Sequence, residues 1–409
     1  MCPAIHARIY DLNKMTTILR SLCLAAPLFL VTVIPTTCGA QTQPAMEATA
    51  KLSPQPAIPA VLAAFDKYEI VAMSEAHGMK DEDDFILSLI RNPAFPEKVN
   101  DIAVECGNSL YQPILDRYIA GEDVPFAEVQ KVWRDTTQPM CGTSGFFEQF
   151  FPLVRAINQK LPPGKRLRVL AGDPPVDWSQ IKSVKDVEKK DRDASIASVM
   201  EKDVLSKHRK ALMLFGIFHL FHGGGVGGGN AVTIYEKDYP GRTFVVDDLA
   251  DFDLQSPAQS AAPFAGWQYP SLVLTKRTWL GRLGMRHFHV PTLWTDNDCN
   301  VHDEFPKNEQ KPMADLVDAF LYLGPGDLQL TEKIPADIGL DVPYMTELLR
   351  REALVGLPVP KTLQDFDQQI VAGAPSAVFV LPKLSDFKAY YPFIRQACLE
   401  RKGRAATPR

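Results

Sequence analysis

Four stretches of the chain share one pattern, an apolar run of strand length that stops on a residue able to do chemistry. They are Ile70–His77 (IVAMSEAH), Asp101–Glu105 (DIAVE), Leu167–Asp173 (LRVLAGD) and Ala211–His219 (ALMLFGIFH). Helix-like segments lie between and after them, at Asp81–Arg91, Tyr111–Ala120, Pro125–Val132, Phe146–Lys160 and Val187–His208. The alternation reads β-α-β-α-β. It predicts an α/β fold with a mixed, mostly parallel sheet covered by helices on both faces. Further strands are expected at Thr243–Leu249, Ser271–Thr275 and Ala319–Leu323, and closing helices near Tyr344–Ala353 and Phe387–Glu400. The stretch between the second and third strands is long for a simple crossover. It predicts a helical insertion, a cap over the strand ends at about residues 108–162. Residues 61–400 then form one α/β domain. Ligands of such sheets bind at the carboxyl ends of the strands. Glu75, His77, Glu105, Asp173 and His219 should therefore converge on one edge.

Composition adds exclusions. The chain has 409 residues, 46% hydrophobic and 23% charged, enough for a large globular core. The net charge is −5 and no long basic run occurs, so nucleic acid is not an expected partner. No apolar run of spanning length follows residue 40, so the mature chain should carry no integral membrane segment. Residues 1–40 read as a signal peptide, with Met15 as an alternative start. Arg20 precedes the uncharged run Leu22–Ile34, and Cys38-Gly39-Ala40 offers small residues for cleavage before Gln41. The expected destination is the periplasm or the exterior. Lipoprotein anchoring at Cys38 is the weaker reading, because Pro35-Thr36-Thr37 precedes it poorly. Residues 41–60, rich in Gln, Pro, Thr and Ala, read as a flexible linker. Removing the leader leaves Cys106, Cys141, Cys299 and Cys398. Four cysteines allow three pairings, and their spacing matches no zinc motif.

The sharpest candidate site is Ser74-Glu75-Ala76-His77-Gly78. A carboxylate two residues from an imidazole, where a strand becomes a loop, can orient the ring and raise its basicity. The bland account is a structural histidine at the start of the next helix. Glu105 closes a buried strand, where a carboxylate is costly unless paired or functional. Asp173-Pro174-Pro175 is either a carboxylate heading a shaped loop or a proline-stiffened turn. Arg192 and Asp193 lie in a charged helical stretch, which by spacing alone reads as a solvated face. His219 is a better candidate than His222, and His287 and His289 read as peripheral. The glycine run 223–229 lacks a Lys-Ser/Thr ending, so it is no phosphate loop, and it reads as a mobile flap. No Gly-x-Ser-x-Gly elbow occurs.

The Glu-x-His-Gly after the first strand, Val104-Glu105, Arg192-Asp-Ala-Ser-Ile-Ala and the strand ending in His219 together resemble a known superfamily. It contains erythromycin esterases, ChaN-type haem-binding lipoproteins and Tiki-type proteins. The resemblance covers residues 69–220, and Ala319–Gly324 resembles a late strand of the same proteins. Its esterase branch implies His77 as general base, Glu75 and Glu105 as its supports, Arg192 as a substrate-binding or polarising cation, and His219 completing the pocket. Two departures stand out. Glu-x-His is shorter than the Glu-x-x-His of the macrolide esterases and closer to the ChaN-like spacing, and Ser74 replaces the usual glycine.

The expectation is an exported hydrolase that needs no metal or other cofactor, acting on a small molecule with an ester or related acyl bond. His77, Glu75, Glu105, His219 and Arg192 would be catalytic, and Asp173 and Asp193 would bind substrate. The alternative is a haem- or iron-binding protein using the same cleft without catalysis. A divalent metal on Glu75, His77, Glu105 and His219 is a further possibility, although no pair among them forms a recognised ligand motif.

Overall fold

The computed structural model describes residues 51–355 except 189, 225–228, 251, 253–259, 290 and 305–309, and also residues 362–365, 368, 388 and 391–405. Residues 1–40, the stretch expected to be a signal peptide, and residues 41–50 lie outside the described residues.

The chain forms β1 (Gln55–Pro56), β2 (Ile70–Ser74), β3 (Asp101–Asn108), β4 (Arg168–Asp173), β5 (Ala211–Phe215), β6 (Thr243–Asp248), β7 (Ser271–Leu274), β8 (Thr292–Thr295), β9 (Val301–Glu304) and β10 (Ala319–Tyr322). Eight of these make one sheet in the order β1-β7-β10-β6-β2-β5-β3-β4. Every pair from β10 to β4 is parallel. β7 runs antiparallel to β10 and to β1. β8 and β9 form a separate antiparallel pair. The sheet is thus mixed and mostly parallel, as the apolar runs predict. The four runs lie side by side as β2-β5-β3-β4, so their carboxyl ends share one edge.

Continuous apolar sequence explains the central position. In β2 (IVAMS) and β5 (ALMLF) every residue is buried, because both faces of the sheet are covered. One face packs on α1 (Ala57–Ala64), α2 (Lys80–Arg91), α3 (Phe95–Lys98), α4 (Gln112–Ala120), α5 (Phe126–Arg134) and α6 (Gly145–Lys160). Val71, Met73, Ile102, Val104, Leu212 and Leu214 point into that layer, with Trp133 and the phenylalanines 146, 147, 150 and 151. Each such side chain, fully buried, contributes roughly 1.5–3 kcal/mol of transfer free energy. After the short α7 (Val184–Glu188), the other layer contains α8 (Arg192–Val199) and α9 (Ala231–Tyr235) over Ile70, Ala72, Ala103, Met213 and Val245. It also takes in Leu280 of α10 (Trp279–Arg282). Two longer helices follow, α11 (Val342–Val355) and α12 (Tyr391–Ala405).

Three expectations change in detail. Strand and helix begin at Gln55, inside the stretch read as a linker. The helices of the 108–162 insertion form a layer on one sheet face rather than a cap, since their apolar sides pack into that face's core. The connecting segment 135–144 reaches the strand ends, where Thr137 bonds Asp173. The charged helix expected over 187–208 is broken before Arg192, where Asp191 caps a new helix by accepting from the Ala194 amide at 3.0 Å.

Candidate active site

β2 ends at Ser74, and the Glu75 amide still donates to the Phe215 carbonyl at 3.0 Å, so Glu75 stays tied to β5. Gly78 then turns the chain with φ 87°, a left-handed backbone that favours glycine. The turn brings His77 back beside Glu75. Its Nδ1 lies 2.8 Å from Glu75 Oε2, and its Nε2 lies 3.6 Å from Glu105 Oε1. Burial disfavours the imidazolium. The charges of Glu75 and Glu105 outweigh it and hold the His77 pKa well above 6.5.

Glu105 reaches the cleft through an irregularity in β3. Val104 pairs with Ala171 and Asn108 with Asp173, so β3 spends more residues than β4 over this stretch. Such bulges re-aim side chains. Gly107 makes the bulge possible: a Cβ there would lie 2.7 Å from the Ala171 Cα. Glu105 Oε2 accepts from the Gly216 amide at 2.6 Å. Burial pushes the Glu105 carboxyl up, but Arg192, His219 and His77 outweigh it and keep it well below the usual range.

Arg192 opens α8 and points into the cleft, so the solvated face read from its charged surroundings does not include it. Its Nη2 donates to Glu105 Oε1 at 2.6 Å and its Nε to Asp173 Oδ1 at 2.9 Å, while Nη1 lies 3.3 Å from His219 Nε2. Asp173 is closed from the other side, where the Thr137 amide and hydroxyl donate to it at 2.5 and 2.7 Å. Burial raises the Asp173 pKa, against the pull of Arg192 and Thr137. His219 Nδ1 lies 2.7 Å from Asp193 Oδ1, which also accepts from the Ala231 amide at 2.9 Å. All seven candidates therefore belong to one connected network. Asp173 and Asp193 are engaged in positioning Arg192 and His219.

A neighbouring acidic cluster, at the end of the expected strand Thr243–Leu249, was not among the candidate site residues. β6 lies beside β2 and ends in Asp247-Asp248. The Ser74 hydroxyl donates to Asp248 at 3.3 Å, and burial beside Asp247 pushes Asp248 up to about 6. His289, read as peripheral, lies 2.8 Å from Asp247 Oδ2 with its ring against Phe218 and Phe221. The usable signal was the same one, an apolar run ending on carboxylates. Glu82 and Asp83 in the first turn of α2 are also buried. Glu82 accepts from the Ala76 amide at 2.7 Å.

Segment 330–332 crosses the exit of the His77 turn. The Glu332 amide donates to the Gly78 carbonyl at 2.8 Å, and the Lys80 amide to the Leu330 carbonyl at 3.0 Å. The cysteines pair as Cys106–Cys141 and Cys299–Cys398. The first bond ties segment 135–144 to β3 one residue beyond Glu105. Among the described residues, the donor trio that clusters for a metal is His77, Cys106 and Cys141, with ligand atoms within 4.8 Å of one another, and here the sulfurs are joined. Glu105 and Asp173 are instead paired with Arg192.

A separate cleft of about 440 Å³ lies to one side, lined by Tyr111, Asp135, Trp178, Glu347, Arg350 and Arg351 among others. None of the seven candidates lines it. Residues 225–228 of the glycine run lie outside the described residues.

Fold and site together define an α/β protein with a buried carboxylate–imidazole–guanidinium network at its strand ends. No family model and no curated protein matches the sequence. Solved structures that resemble the chain include a Bacillus cereus protein, at 10% identity and TM-score 0.41 over 67% of this chain and 94% of that one. A mutant erythromycin esterase in its open conformation shares 10% identity, TM-score 0.41, over 66% and 94%. Haem-binding ChaN of Campylobacter jejuni shares 13% identity, TM-score 0.32, over 48% and 86%. Among the described residues no helix is long and apolar enough to cross a membrane.

Proposed function

We propose that the protein is a hydrolase in which His77 activates water against an ester or related acyl bond of a small molecule. The observation that carries this reading is the position of His77 between two buried carboxylates, with side-chain exposure of 14% against 4% for each partner. Glu75 at Nδ1 selects the tautomer that carries its proton there and leaves Nε2 to accept one. Once His77 takes the proton from water, Glu75 and Glu105 stabilise the imidazolium. The engaged nitrogens of Arg192 suit it to holding Glu105 ionised and oriented more than to binding substrate.

The test is turnover of a panel of carboxylic esters by the wild type and by His77→Asn. The variant should keep its far-ultraviolet circular dichroism and lose about 10²–10⁴-fold in rate, the usual worth of a general base. No turnover by the wild type, with a Soret band on adding haem, would replace this reading with binding. Turnover abolished by a chelator and restored by zinc or manganese would make His77 a ligand.

We further propose that the protein is exported. The apolar run behind Arg20 supports this, as do two disulfides, a bond type that persists in oxidising compartments. N-terminal sequencing of protein from the native host should find Gln41 first. A product that begins at Met1 or Met15 would overturn it.

A further inference from the structure

The cleft of about 440 Å³ beside the network lies where open sheets bind ligands, beyond the carboxyl ends of strands. Tyr111 comes from the turn after β3, and Asp177 and Ser179 come from the loop after β4. One face of α11 adds Glu347, Arg350 and Arg351. The volume falls in the range of about 300–1,000 Å³ usual for small-molecule sites. The wall is organised by its own bonds. Arg351, with 8% side-chain exposure, donates through Nη1 to Asp135 at 2.6 Å and through Nε to Glu347 at 2.7 Å, its guanidinium over the Trp178 ring. Arg350 donates to both Glu347 oxygens and to the Trp178 carbonyl. The Tyr111 hydroxyl donates to Asp135 at 3.1 Å.

These bonds leave donors and acceptors over. Among the described residues, Arg350 Nη1 and Asp177 Oδ2 make no hydrogen bond, while Asp177 Oδ1 accepts from the Ser179 amide and hydroxyl. The Tyr111 oxygen and the Asp135 and Glu347 carboxylates keep lone pairs. That inventory selects the ligand. An apolar molecule would take water from charged groups and replace none of its hydrogen bonds. An anion would meet three carboxylates, Asp135, Asp177 and Glu347, against two guanidiniums. A cation would find Asp135 and Glu347 already held by arginine. A hydroxyl both donates and accepts, so it can use the remaining capacity with every ion pair intact. We propose that this cleft binds a neutral saccharide of one or two rings, its hydroxyls accepting from Arg350 Nη1 and donating to Asp177 and the Tyr111 oxygen. The site stands apart from His77 and does not rest on the hydrolase reading.

The experiment is calorimetric titration of the full chain with glucose, N-acetylglucosamine, maltose and trehalose. At least one should bind with a Kd of about 1 mM or tighter. Asp177→Asn keeps the acceptor for Ser179 and loses the carboxylate oxygen left over. Arg350→Met removes the donor from a side chain 42% exposed. Each should weaken binding by about tenfold or more, the worth of one hydrogen bond to a charged group. Should Arg350→Met lose the fold, Asp177→Asn decides alone. A chain that binds none of the four sugars overturns the proposal, as does binding indifferent to both substitutions. Binding that disappears in His77→Asn overturns it too, because the sugar would then lie in the strand-end network. Sulfate, spermidine and glycine are the rival probes. Binding of any one of them in place of the sugars would make the cleft an anion, cation or zwitterion site and overturn the saccharide. Sugar titration is independent of ester turnover, so failure here and failure of the hydrolase reading are told apart.

Discussion

Arg192 Nη2, from the start of α8, donates to Glu105 Oε1 of β3 at 2.6 Å, across 87 residues of sequence. The same guanidinium holds Asp173 at 2.9 Å. One cation thus supports two carboxylates buried at neighbouring strand ends, and Glu105 in turn faces His77. The pair explains how a carboxyl at 4% exposure remains ionised.

Removing the cation should expose that dependence. Arg192→Met leaves Glu105 and Asp173 buried without their partner, and breaking such a pair from one side costs about 3–5 kcal/mol. Urea unfolding at neutral pH checks it. The lowered pKa of Glu105 means that its ion pairing stabilises the fold above the ordinary carboxylate range and loses that effect as pH falls through the folded value. The stability gap between wild type and variant should therefore narrow in acid. A gap under about 1 kcal/mol at neutral pH would make the network peripheral to the fold, in the range of an exposed pair.

Gly107→Ala tests the bulge. The added Cβ meets backbone at 2.7 Å, so either β3 or β4 must shift. Overpacking of this kind costs about 1–3 kcal/mol. Because Glu105 sits two residues earlier, turnover should fall along with the melting temperature. Gly164→Ala is the control: its Cβ would meet nothing within 4 Å, and stability should stay within about 0.5 kcal/mol. Equal behaviour of the two variants would dismiss the close approach as the reason for Gly107.

How much of this was legible follows from where each signal lies. β2 and β5 are apolar on both faces, so their position at the middle of a parallel sheet can be read from composition alone. The convergence of Glu75, Glu105, Asp173 and His219 follows from strand direction. Arg192 was not legible from spacing, because its orientation depends on a helix break at Asp191 that a charged stretch conceals. His289 was missed for a related reason. Its partner, Asp247, ends a strand separated from it by 42 residues, and no local pattern joins them. The disulfide pairing required geometry, since spacing allows three arrangements and separation in space allows one.

The pH dependence of turnover should carry the signature of His77. A base must be unprotonated, and Glu75 and Glu105 hold the imidazolium past the ordinary 6.5. The rate should therefore rise with pH through an inflection above that value. Glu75→Gln removes the largest opposing influence to burial, so the inflection should move down while the maximal rate also falls. The charge effect on stability has the same sign: His77 pairing stabilises below pH 6.5 and is lost as pH rises through the folded value. An inflection that stays in place in Glu75→Gln would show that another group governs the profile.

Asp83 offers a gain in stability that depends on pH. It is 5% exposed, its Oδ2 has no hydrogen-bond partner, and burial followed by the charges of Glu332 and Glu75 pushes its carboxyl from the usual 3.8 up to about 9. At neutral pH the folded protein therefore holds a proton there that the unfolded chain does not. Folding takes up that proton, and the cost grows by roughly 1.4 kcal/mol per pH unit between the two pKa values. Asn has nearly the same shape and needs no proton. Asp83→Asn should thus match wild type near pH 4 and gain on it as pH rises, by on the order of 2–4 kcal/mol at pH 7. The gain should stop growing near pH 9. Melting curves of both proteins at pH 5, 7 and 8.5 measure it. A constant difference across that range would mean that Asp83 is ionised in the fold, and the buried acid pair with Glu75 would need a cation of its own.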